Sequence, residues 1–341
     1  MSGRASDGPP RLMLECLGAL GSVRHPLVIG EASGALATAL RSAGAEPRVW
    51  LREASSDIRV TPLAWPDGDG FDAALIRLPK SKDSLTMALH AAAAKTLPGA
   101  RIVVFGANAE GIRSIAPRLA TVADAVETLD TGHHARILLG RRKAQIDGLK
   151  GQLADWRQEG SIDLGGSARP WISYPGPFAR GGLDGGTAFL IAHLPKLASG
   201  TRVLDFAAGT GVIAAALAAK GTGIEIDMIE ADALALAAAR ENVPGARCLT
   251  GTSLAAAEAR RYDLIVSNPP IHEGIAESHA VLERLIADAP ARLRANGKLL
   301  LVVQRRVAIL PLMLKAFPAA DVIADNGRFT VVSAERAGHG R

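Results

Sequence analysis

The strongest constraint on this chain is an alternation that runs through it twice in the same order. Short apolar runs of strand length, each stopped by Gly, Pro or a charge, alternate with Ala-rich segments of helical length. Unbroken apolar runs suit strands buried on both faces, and parallel strands need crossovers long enough to hold a helix. In the first half, strand signals fall at Pro26 to Gly30, Arg48 to Leu51, Asp72 to Leu78, Arg101 to Phe105, Val122 to Leu129 and Ala135 to Leu139. In the second they fall at Arg202 to Phe206, Ile224 to Ile229, Ala246 to Leu249, Asp263 to Val266 and Lys298 to Val303. Val322 to Ile323 and Phe329 to Val332 close that series. The pattern predicts an α/β chain of two tandem doubly wound, Rossmann-like domains.

The two halves echo each other. Phe71 to Ile76 followed by Pro79 matches Tyr262 to Val266 followed by Pro269, and Pro98 to Val104 matches Ala295 to Leu301. Leu27 to Gly34 loosely parallels Val203 to Gly211. Duplication of one fold accounts for three matches in one order, and 341 residues suit two domains. The expected organisation is a flexible start and first helix over 1–24 and a first domain over 25–143. A helix and linker over 144–168 and a second domain over 169–341 complete it.

Charged residues at 21% and hydrophobic ones at 48% describe an ordinary globular chain. No apolar run reaches membrane-spanning length, and Met1 to Pro10 lacks the basic and apolar regions of a signal peptide. Cys16 and Cys248 lie far apart without metal-ligand spacing, so neither a disulfide framework nor a metal site is expected. A cytoplasmic location is the reading that follows. The net charge of +5 is compatible with a nucleic-acid partner but carries no weight alone, and the Arg141-Arg142-Lys143 cluster reads equally well as solvated linker.

Chemistry-bearing residues concentrate in the second half. Val203-Leu204-Asp205-Phe206-Ala207-Ala208-Gly209-Thr210-Gly211 is a strand ending in an acid, a glycine turn and a helix start. Gly209 and Gly211 let backbone approach a ligand closely. The dinucleotide fingerprint needs three glycines, and Asp205 would repel a pyrophosphate, so an NAD-dependent oxidoreductase is disfavoured. An acid here suits a cationic ligand, and S-adenosylmethionine carries both an ammonium and a sulfonium. Glu230, at the next strand end and followed by Ala231, can accept both hydroxyls of a ribose. Gly251-Thr252-Ser253 offers hydroxyls and N–H groups where an adenine edge would lie. At the fourth strand end stands Ser267-Asn268-Pro269-Pro270-Ile271-His272-Glu273-Gly274. There the prolines end the strand and hold Asn268 extended, presenting its carboxamide at the lip of the sheet.

In this order and spacing, residues 169–335 resemble a class I S-adenosylmethionine-dependent methyltransferase with an Asn-Pro-Pro motif. The whole chain is similar to the small-subunit ribosomal RNA guanine-N2 methyltransferase C family, whose catalytic stretch reads Asn-Pro-Pro-Phe-His-Asp-Gly against Asn268 to Gly274. The loop Tyr174 to Asp184 resembles that family's loop before the cofactor strand, which implies cofactor roles for Gly182 and Asp184. Pro79-Lys80-Ser81-Lys82 and Gly106 to Ser114 look like its degenerate N-terminal copy.

The resemblance implies methylation of the exocyclic N2 amine of a guanine in 16S ribosomal RNA by a monomer. The Asn268 oxygen and the Pro269 carbonyl would accept the two amine hydrogens, with Pro270 and Ile271 completing the catalytic stretch. A base held in a paired region must be extruded to reach such a pocket. Ile271 replaces the aromatic ring that would stack on the base, leaving Phe178 or His272 to compensate; Ala207 stands where many relatives have Gly. Lys80, Lys82 and Arg113 are candidate phosphate contacts in a supporting N-terminal half. A protein glutamine-amide methyltransferase is the second reading, disfavoured by Ile271 and by an αβ N-terminal half. A non-catalytic RNA-binding assembly factor is the third.

Overall fold

A computed structural model describes residues 8–54, 59–164, 166, 168–176, 183–270 and 276–338. The chain divides into two compact units. One comprises residues 1–157 with 175–177, the other 158–174 with 178–341.

The first unit opens with helix α1 (Gly8–Glu15) and a 3₁₀ turn, Leu17–Leu20. Helix α1 takes in Pro9 and Pro10, which the first turn tolerates because its N–H groups have no intrahelical acceptor. Strand β1 (Pro26–Ile29), helix α2 (Ala35–Ser42), β2 (Arg48–Trp50), β3 (Phe71–Arg77), α3 (Lys82–Lys95) and β4 (Thr96–Ala107) follow. After β4, 3₁₀ turns at Asn108–Glu110 and Ile112–Ser114 lead into a single turn, α4 (Ala116–Leu119). Pro117 sits in its first turn and cannot be reached from a longer helix behind it. Strands β5 (Ala123–Gly132) and β6 (Ala135–Arg142) complete a sheet of order β2-β1-β3-β4-β6-β5. Its last two strands pair antiparallel, so the sheet is mixed.

Among the described residues between 141 and 168 no α-helix forms. The chain makes a 3₁₀ turn at Leu153–Trp156, and then β7 (Gln158–Asp163) pairs antiparallel with β8 (Ala168–Ser173). Gly148, Gly151 and Gly160 interrupt this stretch, and its apolar residues are too sparse to form a helical stripe. Trp156 is fixed by the edge of His90, with centroids 5.3 Å apart, and by Lys150 over its ring at 4.5 Å.

The second unit continues with α5 (Gly185–Ala192), β9 (Arg202–Phe206), α6 (Val212–Lys220), β10 (Glu225–Glu230), α7 (Ala233–Asn242), β11 (Arg247–Thr250), β12 (Tyr262–Ser267), α8 (Ala276–Arg292), β13 (Leu293–Gln304), α9 (Ile309–Met313), β14 (Ala320–Asp325) and β15 (Phe329–Glu335). Strand order is β11-β10-β9-β12-β13-β15-β14, with only β15 running against its neighbours β13 and β14. Each central strand feeds two cores, one per face. Val203 packs with Ile213 and Leu217, while Leu204 packs with Leu282 and Leu299. That two-sided burial is why these strands read as unbroken apolar runs.

The echo in sequence becomes identity of position. β1, β3 and β4 hold in the first sheet the places that β9, β12 and β13 hold in the second. The pairing Phe71↔Thr96 jumps to Ala73↔Arg101, and Tyr262↔Leu293 jumps to Leu264↔Lys298, the same irregularity at the same point. Register along β3 and β12 sets Pro79 opposite Pro270, one residue on from the match that sequence suggested. Asp72 accepts the N–H groups of Arg24 and His25, and Asp263 that of Arg202, so one carboxylate device begins the central strand in both. Among the described residues the first sheet has no counterpart of β11.

Candidate active site

Three parallel strands, β10, β9 and β12, lie side by side and bring Glu230, Asp205 and Asn268 to adjacent carboxyl ends. In an open α/β sheet this edge, where strand order reverses, is where a crevice forms.

Asp205 is fully buried. Its Oδ2 accepts the Ala214 N–H at 3.0 Å, and its Oδ1 has no partner among the described residues. Burial pushes its carboxyl up to about 8, against the Ala214 hydrogen bond, and the charge of Glu230 adds to the rise. After the strand the chain turns sharply. Ala207 takes φ +57°, a left-handed conformation unusual for a residue with a Cβ, and Gly209 and Gly211 take +56° and +87°. The two glycines serve different ends. A Cβ on Gly211 would lie 2.9 Å from Val243 Cγ2 and 3.3 Å from Ala239 Cβ, whereas one on Gly209 would project into open space. Trp171 Nε1 donates to Thr210 Oγ1 at 3.3 Å, and buried Asn242 donates to the carbonyls of Ile172 and Thr210 while accepting from Ile172 N–H. Neither Trp171 nor Asn242 carries a sequence signal for this role.

Glu230 is half-buried, and its carboxylate spans the turn: Oε2 accepts the Gly209 N–H at 2.8 Å and Oε1 the Asp232 N–H at 2.9 Å. Burial raises its pKa, these bonds oppose the rise, and Asp232 adds to it. Each oxygen keeps acceptor capacity for a further donor. Asp232 itself caps α7 by accepting the Leu234 N–H. Ala231 is half-buried beside it, Thr252 is exposed, and Ser253 leads into the 3₁₀ turn Leu254–Ala257 without a side-chain cap bond.

Asn268 leaves the end of β12 half-buried, with Pro269 buried behind it and Pro270 partly so. Its Nδ2 donates to Asp184 Oδ2 at 2.8 Å and to Thr187 Oγ1 at 2.9 Å. Asp184 is the N-cap of α5, its Oδ2 also accepting from Thr187 N–H at 3.0 Å and Thr187 Oγ1 at 3.3 Å. Sequence reasoning gave Asp184 to the cofactor; here its Oδ2 serves the helix cap and Asn268. Thr187 was missed altogether. One strand back, Ser267 Oγ donates to the Phe206 carbonyl at 2.6 Å, tying β12 to β9. Phe178, Gly182, Ile271 and His272 lie outside the described residues.

Lys80, Lys82 and Arg113 belong to the other unit. All three are exposed, Lys80 and Lys82 flanking the Ser81 cap of α3 and Arg113 donating to Asn108 Oδ1 at 3.2 Å. In that unit register puts Val28 at the place of Asp205, Leu51 at that of Glu230 and Arg77 at that of Asn268. Its turn is filled from within, as buried Glu31 accepts the N–H groups of Ser33 and Leu36 and the Ser33 hydroxyl.

The residues of the second unit fit S-adenosylmethionine: an orphaned buried carboxylate oxygen on Asp205, an open cradle at Gly209, and spare acceptor capacity on Glu230. Among the described residues no group of three His, Cys, Asp or Glu side chains comes together as a metal set, and no helix is long and apolar enough to cross a membrane.

Comparison with known proteins agrees with this geometry. Residues 170–333 match the methyltransferase small domain, and residues 22–159 match the methyltransferase small domain N-terminal family. The chain is 30% identical over 272 residues to the ribosomal RNA small subunit methyltransferase C of Shewanella halifaxensis, covering 79% of this chain and 78% of that one. The chain belongs to this family. The methyltransferase C protein of Ectopseudomonas mendocina is 33% identical over 277 residues, covering 80% and 81%. A solved T. thermophilus 16S rRNA N2 G1207 methyltransferase, in complex with AdoMet and guanosine, has the same fold. It aligns with a TM-score of 0.74 at 21% identity, over 95% of this chain and 92% of that one. As a member of this family, the chain carries two Rossmann-like methyltransferase domains and uses S-adenosylmethionine.

Proposed function

We propose that this methyltransferase transfers the methyl group of S-adenosylmethionine to the N2 amine of a guanine in small-subunit ribosomal RNA. The observation that carries the reading is the row of Glu230, Asp205 and Asn268 at three neighbouring strand ends in a member of this family. Asp205 and Glu230 hold the cofactor, and Gly209 lets it approach the backbone. When bound, S-adenosylmethionine supplies an electrophilic methyl on a sulfonium. Asn268 Oδ1 and the Pro269 carbonyl accept the two hydrogens of the amine and turn its lone pair out of conjugation with the ring. Proximity and alignment then supply most of the acceleration, because a base is needed only to remove the proton after transfer.

The N-terminal unit docks RNA through Lys80, Lys82 and Arg113, and the protein works as a cytoplasmic monomer. Its αβ sheet is unlike the small helical domain of glutamine-amide methyltransferases. Mapping base methylation in ribosomal RNA from cells with and without the protein tests the function; persistence of every N2-methylguanine in the deletion strain would refute it. Asn268→Ala should abolish transfer and leave cofactor affinity within about threefold, since its part is played after cofactor binding.

A further inference from the structure

An asparagine amide can sit two ways round, and only one of them serves an amine substrate. With the oxygen toward the substrate, Asn268 accepts; with the NH2 toward it, two donors face each other. Strand β12 and the prolines fix where the side chain leaves the backbone, but the last torsion, which exchanges oxygen and nitrogen, is broad and close to two-fold. Something else must choose between the two orientations.

We propose that Asp184 and Thr187, on the first turn of α5, form a directional clamp that selects the working orientation of Asn268. The argument is one of hydrogen-bond polarity. A carboxylate such as Asp184 can only accept. Its Oδ2 lies 3.3 Å from Thr187 Oγ1, so the single hydroxyl proton of Thr187 is directed to it. With that proton committed, Thr187 Oγ1 presents only lone pairs to Asn268, 2.9 Å away. Asp184 Oδ2, 2.8 Å away, is likewise an acceptor. The amide group between them must therefore be the NH2, whose two hydrogens are both consumed. Reversal would set the amide oxygen against a carboxylate oxygen and a hydroxyl oxygen with no proton between them. Oδ1 consequently faces away from the clamp as the acceptor.

The clamp is held in place by the same first turn that caps the helix. Thr187 is 9% exposed, and its N–H also bonds Asp184 Oδ2 at 3.0 Å, so cap and clamp share one oxygen. Gly186, between them, has no room for a side chain: a Cβ would lie 3.1 Å from Asp184 Oδ2 and 3.2 Å from the ring of Phe329. Gly185, whose Cβ would lie 3.3 Å from the same ring, joins it in letting the first turn of α5 press against β15. Asp184 and Thr187 are positioning residues, acting on the amine through Asn268. The inference rests on the methyl-transfer reading above.

The test uses the full-length protein with S-adenosylmethionine and small-subunit ribosomal RNA. Thr187→Val keeps the shape and removes the hydroxyl; Asp184→Asn keeps the cap oxygen but adds a donor that tolerates either orientation. Both should lower kcat by about tenfold or more, as misalignment of a reacting pair does, with RNA KM, cofactor Kd and Tm near wild type. Thr187→Ser, which restores the hydroxyl, should recover most of kcat. Wild-type kcat in both Thr187→Val and Asp184→Asn overturns the clamp. So does a loss confined to cofactor Kd or Tm, which would mark a cap and nothing more. Should Thr187→Val fail to fold, Asp184→Asn decides alone. Absence of methyl transfer by the wild-type protein would instead refute the function itself, so the two failures are distinguishable.

Discussion

Arg77 occupies in the first sheet the position that Asn268 occupies in the second, and its guanidinium closes on Glu110 through two hydrogen bonds of 2.7 Å and 2.5 Å. Where one unit ends its strand with an amide, the other has sealed the same strand end with an internal ion pair.

That pair should matter to folding and not to cofactor binding. Burial works to raise the Glu110 pKa, but hydrogen bonds from Arg77 and the Ala107 N–H outweigh it and hold the carboxyl below its ordinary 4.5. A carboxylate whose folded pKa is depressed adds stability above its unfolded pKa and loses it as pH falls through the folded value. Glu110→Gln, at a part-exposed site, should cost about 1 kcal/mol near neutrality, and the difference should fade below pH 4.5. Urea melts across pH measure this, with cofactor Kd unchanged.

Asp205 behaves in the opposite sense. Its folded pKa, about 8, lies above its ordinary 3.8, so in the free protein its contribution is complete below the lower value and is lost as pH rises toward the higher. Asp205→Asn should flatten the fall of Tm between those limits and make the free protein the more stable one at alkaline pH. Cationic cofactor favours the ionised carboxylate, so binding at neutral pH should release a proton. Calorimetry in two buffers of different ionisation enthalpy reads that release, which Asp205→Asn should abolish along with much of the affinity.

The two glycines of the cofactor turn should fail differently. Gly211→Ala drives a Cβ into Val243 and Ala239 and should cost about 3 kcal/mol by overpacking on top of left-handed strain. Gly209→Ala meets nothing within 4 Å among the described residues and should cost about 1 kcal/mol from its left-handed φ alone. Its methyl enters the cradle, however, so cofactor affinity should fall by about tenfold or more. Denaturation and calorimetry on both variants separate the two effects.

RNA docking by the first unit predicts a salt signature. If Lys80 and Lys82 meet phosphates, the slope of log affinity against log salt should shrink by roughly 0.7–0.9 per lost contact in Lys80→Ala/Lys82→Ala. An unchanged slope would remove these two residues from the interface.

The sequence disclosed what repeats and what must be displayed. Asp205, Glu230 and Asn268 stood out in the sequence because each lies at or beside the end of an apolar strand, a position that packing alone does not explain, and the fold sets them at neighbouring strand ends. Burial on both faces made the central strands of both sheets visible as continuous apolar runs. Strand β7 was not, because it buries a single side chain, Ile162, and alternates with nothing. Thr187 stayed hidden for another reason: three residues after a capping Asp, its backbone N–H explains its presence, and its hydroxyl's work depends on a strand end distant in sequence. Short 3₁₀ turns such as Ile112–Ser114 mimic a helix start in periodicity and differ only in where the chain stops.

Glu31 plugs the turn of the first unit with its own carboxylate, while Asp205 in the second keeps one oxygen without a partner among the described residues. If that oxygen takes the cofactor as proposed, one unit is complete as folded and the other is finished by its ligand. Ligand linkage gives this a thermodynamic form: at a hundredfold excess over Kd the second unit gains about 2.7 kcal/mol and the first gains nothing directly. Titrating S-adenosylmethionine should draw the chain's unfolding away from a single cooperative event, one transition climbing with ligand concentration and the other standing still.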